Sequence, residues 1–224
     1  MTLLQHLLPV GASSDTTFRN SFFSPDDTET KQCYKMYHCF SDEGVLRLII
    51  DSSSLIVLAR LAALRPLHDV YGSIGFTASV FEEVVVQGRK KGVPDAAVVE
   101  KAAQDGWLNE LSLTAAEKRF AATILEKTSG ISRTDAETLA CARGHELTVL
   151  IEDRRARNVA RAEDIPYLTI QVFPVYGLLE RKLSAAQCDD LLMRIGHAMH
   201  TDLAVVEALR AAAGEIDRSR RKES

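Results

Sequence analysis

The sequence predicts an α/β fold, a Rossmann-like parallel sheet flanked by helices on both faces, with extra helices toward the C-terminus. Two observations carry that reading. Aliphatic runs at Leu46–Ile50 and Leu147–Ile151 have the near-continuous hydrophobic character of strands buried on both faces. Between and after them, strand candidates alternate with stretches of helical periodicity, as parallel strands joined by crossovers require.

The first run, LRLII, ends on Asp51 and three serines. From Ser54 onward the apolar residues Leu55, Leu58, Ala59, Ala62 and Ala63 recur at helical spacing, so the segment reads as strand, tight turn, helix. A short strand at Ile74–Thr77 follows, then a helix over Phe81–Gln87 that Gly88 is expected to stop. RKKGVPDAAVVEKAAQDGW supplies a loop and a helix, and Thr114–Lys127 another. Asp135–Arg143 reads as a helix closed by Gly144. After Leu147–Ile151 come a helix at Arg154–Glu163, a strand at Tyr167–Val172 and a helical remainder. Residues 1–44 mix Ser, Thr, Asp and Pro with little periodicity and are expected to be a flexible extension; translation from Met36 or near Val45 would explain them. Residues 45–216 read as one domain, and 217–224, with RSRRK, as a basic C-terminal tail.

Composition narrows the function. With 224 residues, 46% hydrophobic and 26% charged, the chain resembles an ordinary soluble globular protein. No apolar run approaches the roughly 18 residues of a membrane span, and MTLLQHLLPV lacks the basic start and cleavage site of a signal peptide, so a cytoplasmic protein is expected. Cys33, Cys39, Cys141 and Cys188 show no C-x-x-C spacing, and Cys33, His38 and Cys39 lack a fourth zinc ligand. A net charge of -4 excludes a polycation, so nucleic-acid contact requires a local basic patch. There is no G-x-S-x-G, P-loop or complete G-x-G-x-x-G, and His197 and His200 lack the H-E-x-x-H arrangement. Trp107 and the phenylalanines read as packing groups.

In open parallel sheets, ligands bind at the carboxyl ends of the strands. Acids fall near such ends at Asp51, at Glu82 and Glu83, at Asp135, and at Glu152 and Asp153. Taken singly, such acids are often local helix starters: Ser79-x-x-Glu82 and Ser132-x-x-Asp135 both match a capping box. If Glu82 caps its helix, Glu83 points about 100° away and is free for a site. Asp135 and Glu137 lie about 200° apart on a helix, and Asp135 is preferred because it stands at the helix start. Asp51 and Asp153 follow buried strands directly and have no evident helical duty. Two carboxylates about 4 Å apart repel by roughly 4 kcal/mol at an effective dielectric near 20. A divalent cation reverses that sign, and ligation by oxygen alone favours Mg2+ or Mn2+ over zinc. On DRRARNVARAE, Arg154, Arg157 and Arg161 share a face opposite Ala156, Val159 and Ala160; Arg89, Lys90 and Lys91 form a second basic patch.

The ordered stretches Asp51-Ser-Ser-Ser-Leu-Ile, SVFEEVV, TDAETLACA and VLIEDRRARNVA resemble the PIN-domain family, in particular bacterial PIN-like nucleases related to the toxin ribonucleases of toxin–antitoxin modules. The resemblance spans roughly Leu46 to Glu215. It implies a PIN-like sheet whose acids bind Mg2+ or Mn2+ for phosphodiester hydrolysis in RNA, single-stranded rather than duplex. Position by position it makes Asp51, Glu83, Asp135 and Asp153 the catalytic, metal-binding set, with Glu152 as the alternate to Asp153 and Ser53 ordering the first acid. It further implies a small antitoxin protein as partner, a homodimer and no membrane. One departure stands out: Ile151 occupies a position where many active members carry Thr or Ser. It favours the alternative, a PIN-like regulatory module that binds nucleic acid or protein without cleaving.

Overall fold

The computed structural model describes residues 48–223. The extension read over 1–44, with Cys33, His38 and Cys39, lies outside the described residues. The strands β1 (Leu48–Ile50), β2 (Ile74–Thr77), β3 (Leu108–Leu111), β4 (Thr148–Leu150) and β5 (Tyr167–Leu168) form one sheet in the order β3-β2-β1-β4-β5. Every pairing is parallel; Leu48 stands opposite Ile74 on one side and Thr148 on the other. From β1 the chain builds outward through β2 and β3, then returns to place β4 and β5 on the opposite side. The strand order therefore reverses between β1 and β4, the position where an open α/β sheet leaves a crevice.

Alternation within the central strands serves two cores. Ile49, Val149 and Ile151 pack with Leu139, Ala140, Ala156 and Ala160 on one face. Leu48, Ile50 and Leu150 point to the other face and are at most 2% exposed. This double burial is why the runs read as unbroken aliphatic text. Helix α1 (Ser52–Arg60) buries Leu55, Leu58 and Ala59, an i, i+3, i+4 stripe. It ends earlier than its periodicity suggests: Ala62 takes a left-handed φ of 48°, and a separate helix, α2 (Leu64–Tyr71), begins after it.

Helix α3 starts as Ala78–Phe81, passes through a π-helical turn at Glu82–Val86 and ends as Gln87–Lys90. It does not stop at Gly88. That residue is buried where a Cβ would lie 3.0 Å from the Cβ of Ala96 on α4 (Asp95–Gln104), so the glycine permits a close helix crossing instead of ending a helix. Nor does Ser79 cap α3; Thr77 does, accepting the Val80 N–H at 3.4 Å, while Glu82 accepts from Gln87 at 2.7 Å. The remaining helices of this unit are α5 (Ala115–Lys127), α6 (Arg133–Gly144) and α7 (Arg154–Ala162).

The described residues form two compact units that divide between Ile170 and Gln171. The second contains α8 (Phe173–Leu179), α9 (Ala185–Ala198) and α10 (Leu203–Glu223), packed through Val175, Leu178, Cys188, Leu192 and Leu209. Residues read as a basic tail continue α10 as far as Glu223, and Arg221 pairs with Asp217 one turn back at 2.8 Å. Among the described residues, no helix is long and apolar enough to cross a membrane.

Candidate active site

The site begins where β1 ends. The Asp51 N–H donates to the Leu150 carbonyl at 3.1 Å, which carries the β1–β4 ladder past the last strand residue. Asp51 then turns the chain into α1 as its N-cap: Oδ1 accepts the Ser54 N–H at 2.7 Å. Oδ2 accepts the Ser53 hydroxyl at 2.8 Å and the Glu152 N–H at 3.3 Å. The residue is 0% exposed. Burial pushes its pKa upward, and the hydrogen bonds from Ser54, Ser53 and Glu152 oppose that push without cancelling it.

At the end of β4, Asp153 caps α7 by accepting the Ala156 N–H at 2.9 Å. Both acids without evident helical duty in the sequence thus hold a cap, which corrects that reading. The cause lies three residues downstream in each case, where the amides of Ser54 and Ala156 face back along the helix axis. Asp135 stands in the first turn of α6, whose N-cap Ser132 accepts the Asp135 N–H at 2.9 Å. Its pKa is raised chiefly by burial; hydrogen bonding to Ser132 opposes this, and the charges of Asp51 and Asp153 add to the rise. The three aspartates therefore share one field. Glu83 is exposed, and its Oε2 accepts the hydroxyl of Ser52, the residue after Asp51, at 2.9 Å.

Glu152 behaves differently. Its Oε1 accepts the Ile170 N–H at 2.6 Å, and Oε2 lies 3.8 Å from Arg157. Asp153's charge contributes to raising the pKa of Asp135, and Glu152 ties β4 to the segment after β5. Ile151 is fully buried in the core with Val149 and Leu139.

The basic residues do not form one free stripe. Arg157 donates to the Glu152 carbonyl at 2.7 Å and Arg161 to the Tyr167 hydroxyl at 2.9 Å, while Arg154 is exposed. Arg89 is paired with Glu100; Lys90 and Lys91 are exposed. The sequence reading missed a cleft of about 750 Å3 that adjoins the acids at Glu83 and runs between α3, the turn after β3, and the starts of α5 and α6. Its lining includes Lys118 and Arg133. The signal is scattered over four separate stretches of chain, one of them following a strand that the sequence does not announce.

Among the described residues, no three His, Cys, Asp or Glu side chains are grouped as they would be around a bound metal ion. The chemistry of the donor set still fits a hard divalent cation. All four groups present oxygen, and Glu83 and Asp153 each accept one hydrogen bond among the described residues, well short of a carboxylate's capacity of about four. Asp51 is the most heavily occupied of the set.

A parallel α/β domain with coupled acids at its switch point defines a class of sheet-edge site. A family model described as a PIN domain matches residues 47–172, more than half of the chain. The chain belongs to the PIN-domain family, a nuclease-like family. A comparison with curated proteins finds no match.

Proposed function

We propose that the chain is a metal-dependent endoribonuclease that hydrolyses phosphodiester bonds in single-stranded RNA. The observation that supports it best is the placement of the acids: Asp51 follows β1 and Asp153 follows β4, on either side of the point where the strand order reverses, and Asp135 stands in the first turn of α6, whose Leu139 and Ala140 pack on the same two strands. Asp51, Glu83, Asp135 and Asp153 would hold Mg2+ or Mn2+. A bound ion of this kind polarises a scissile phosphate and lowers the pKa of water. The chain's own contribution is placement. Ser53 and the Ser54 amide fix Asp51, Ser52 fixes Glu83, and the Ala156 amide fixes Asp153. The exposed Arg154, Lys90 and Lys91 offer charge to phosphates. By resemblance to toxin ribonucleases, the reading extends to a cytoplasmic homodimer restrained by a small antitoxin protein.

Labelled RNA incubated with the purified chain tests this. Cleavage that appears with Mg2+ or Mn2+ and stops with chelator is expected. Cleavage indifferent to chelator, or none with either ion, counts against it.

A second reading has its own support. Asp51 is fully buried and held by three protein donors, and Ile151 is a core residue, as in a domain that keeps the fold for binding alone. RNA retained on the protein but intact after incubation with Mn2+ is the result that favours it.

A further inference from the structure

The cleft beside Glu83 has a volume of about 750 Å3, inside the range of roughly 300–1,000 Å3 typical of small-ligand sites. That is room for the base and sugar of one nucleotide. Its lining carries three carboxylates and two cations: α3 contributes Glu82 and Glu83, α5 contributes Lys118, and α6 contributes both Arg133 and Glu137. Arg133 is already engaged by Glu137 at 2.6 Å. Lys118 is exposed, and among the described residues no carboxylate pairs with it. Ser112 and Thr134 add hydroxyls, and the half-buried Leu113 packs on the core and gives the cleft an apolar surface. No aromatic ring lines it, so base stacking is weak there and affinity must come from phosphate charge and hydrogen bonds.

We propose that this cleft seats one unpaired nucleotide of the RNA strand next to the bond that is cleaved, with the Lys118 ammonium on its phosphate and Leu113 against its base. The inference rests on the ribonuclease reading and adds to it a binding site none of whose cations belongs to α7 or to the Arg89–Lys91 patch. A base must be unpaired to enter a concave site, which selects single strands by shape.

The test is the anisotropy of a short labelled single-stranded RNA on the full chain, in chelator and over a range of salt. Lys118→Ala is expected to raise Kd roughly tenfold, the loss of one charged hydrogen bond, and to reduce the slope of log K against log salt by about 0.7. Lys118→Arg is expected to restore both, and the melting temperature of Lys118→Ala to match the parent because the side chain is exposed. With Mn2+ present, KM should rise while kcat holds. An unchanged Kd and salt slope in Lys118→Ala, with the parent chain binding RNA normally, overturns the cleft site and leaves the ribonuclease reading intact. A duplex of the same sequence showing the same Lys118 dependence overturns the unpaired nucleotide. A parent chain that binds no RNA overturns both.

Discussion

Asp51 and Glu117 are both buried acids engaged in starting helices, yet they sit in opposite settings. Glu117 is 7% exposed and closes a reciprocal capping box on α5: it accepts the Thr114 N–H at 2.6 Å, and its own N–H donates to the Thr114 hydroxyl at 3.3 Å. Its second oxygen faces His145 at 3.5 Å, and the end of α6 at Gly144 lies against it. Asp51 instead stands just past a strand end, and its charge contributes to raising the pKa of Asp135. Capping therefore does not by itself separate a structural acid from a candidate site acid. The setting differs: a histidine and a packed glycine lie against Glu117, while Asp51 stands past a strand end beside the reversal in strand order.

The sharpest way to break the distinction is activity. Asp51→Asn should lower RNA cleavage at least about 100-fold, whereas Glu117→Gln should stay within a few-fold in the same assay. Equal losses at both positions would erase the contrast. Stability comes next. Gly→Ala in a helix normally stabilises, but at Gly144 the new Cβ would overlap the Glu117 carboxylate, so Gly144→Ala should destabilise by about 1–3 kcal/mol in urea unfolding. A rise in stability would show that Glu117 moves aside freely. Asp51→Ala removes a cap and strands buried donors, and should cost about 2 kcal/mol.

Smaller effects follow from charge. Burial raises the folded pKa of Asp51 above its ordinary 3.8, so the folded chain holds this proton more tightly than the unfolded chain. The stability this group contributes is complete below pH 3.8 and is lost as pH rises through the folded value. Asn carries no such charge. The stability difference between Asp51→Asn and the parent should therefore shift toward the variant as pH rises from about 4 to 7, and a flat difference would refute the buried-charge account. Least of all, Cys141, beside Glu117, and Cys188 have thiols pushed up to about 12 by burial, and neither should react with a thiol reagent at pH 7 until the chain unfolds.

The central strands and most helices were legible because double burial writes β1 and β4 as aliphatic runs. β3 was not, since LNEL is an edge strand with only Leu108 buried and Asn109 and Glu110 exposed. The course of α3 was misread because a glycine says only that a side chain is absent; Ala96, which explains the absence at Gly88, is distant in neither sequence nor space but lies on another helix. At the site, the residue types and the positions of Asp51 and Asp153 just past β1 and β4 could be read from strand ends. The commitments of individual groups could not. That Glu152 turns to the Ile170 amide, or that Arg157 and Arg161 spend hydrogen bonds on their own unit, depends on partners fixed only when β4 and β5 pair.

Asp51 both initiates α1 and borders the crevice, so evolution cannot edit the two roles independently. If the proposed function holds, a descendant that abandoned the reaction would still lose about 2 kcal/mol on discarding this aspartate, a sizeable share of the 5–15 kcal/mol that holds a typical domain folded. Persistence of the residue among relatives is thus a poor witness to enzymatic activity. Under the proposed function Glu83, exposed on α3 and free of any cap, is the better marker of which lineages still need the chemistry.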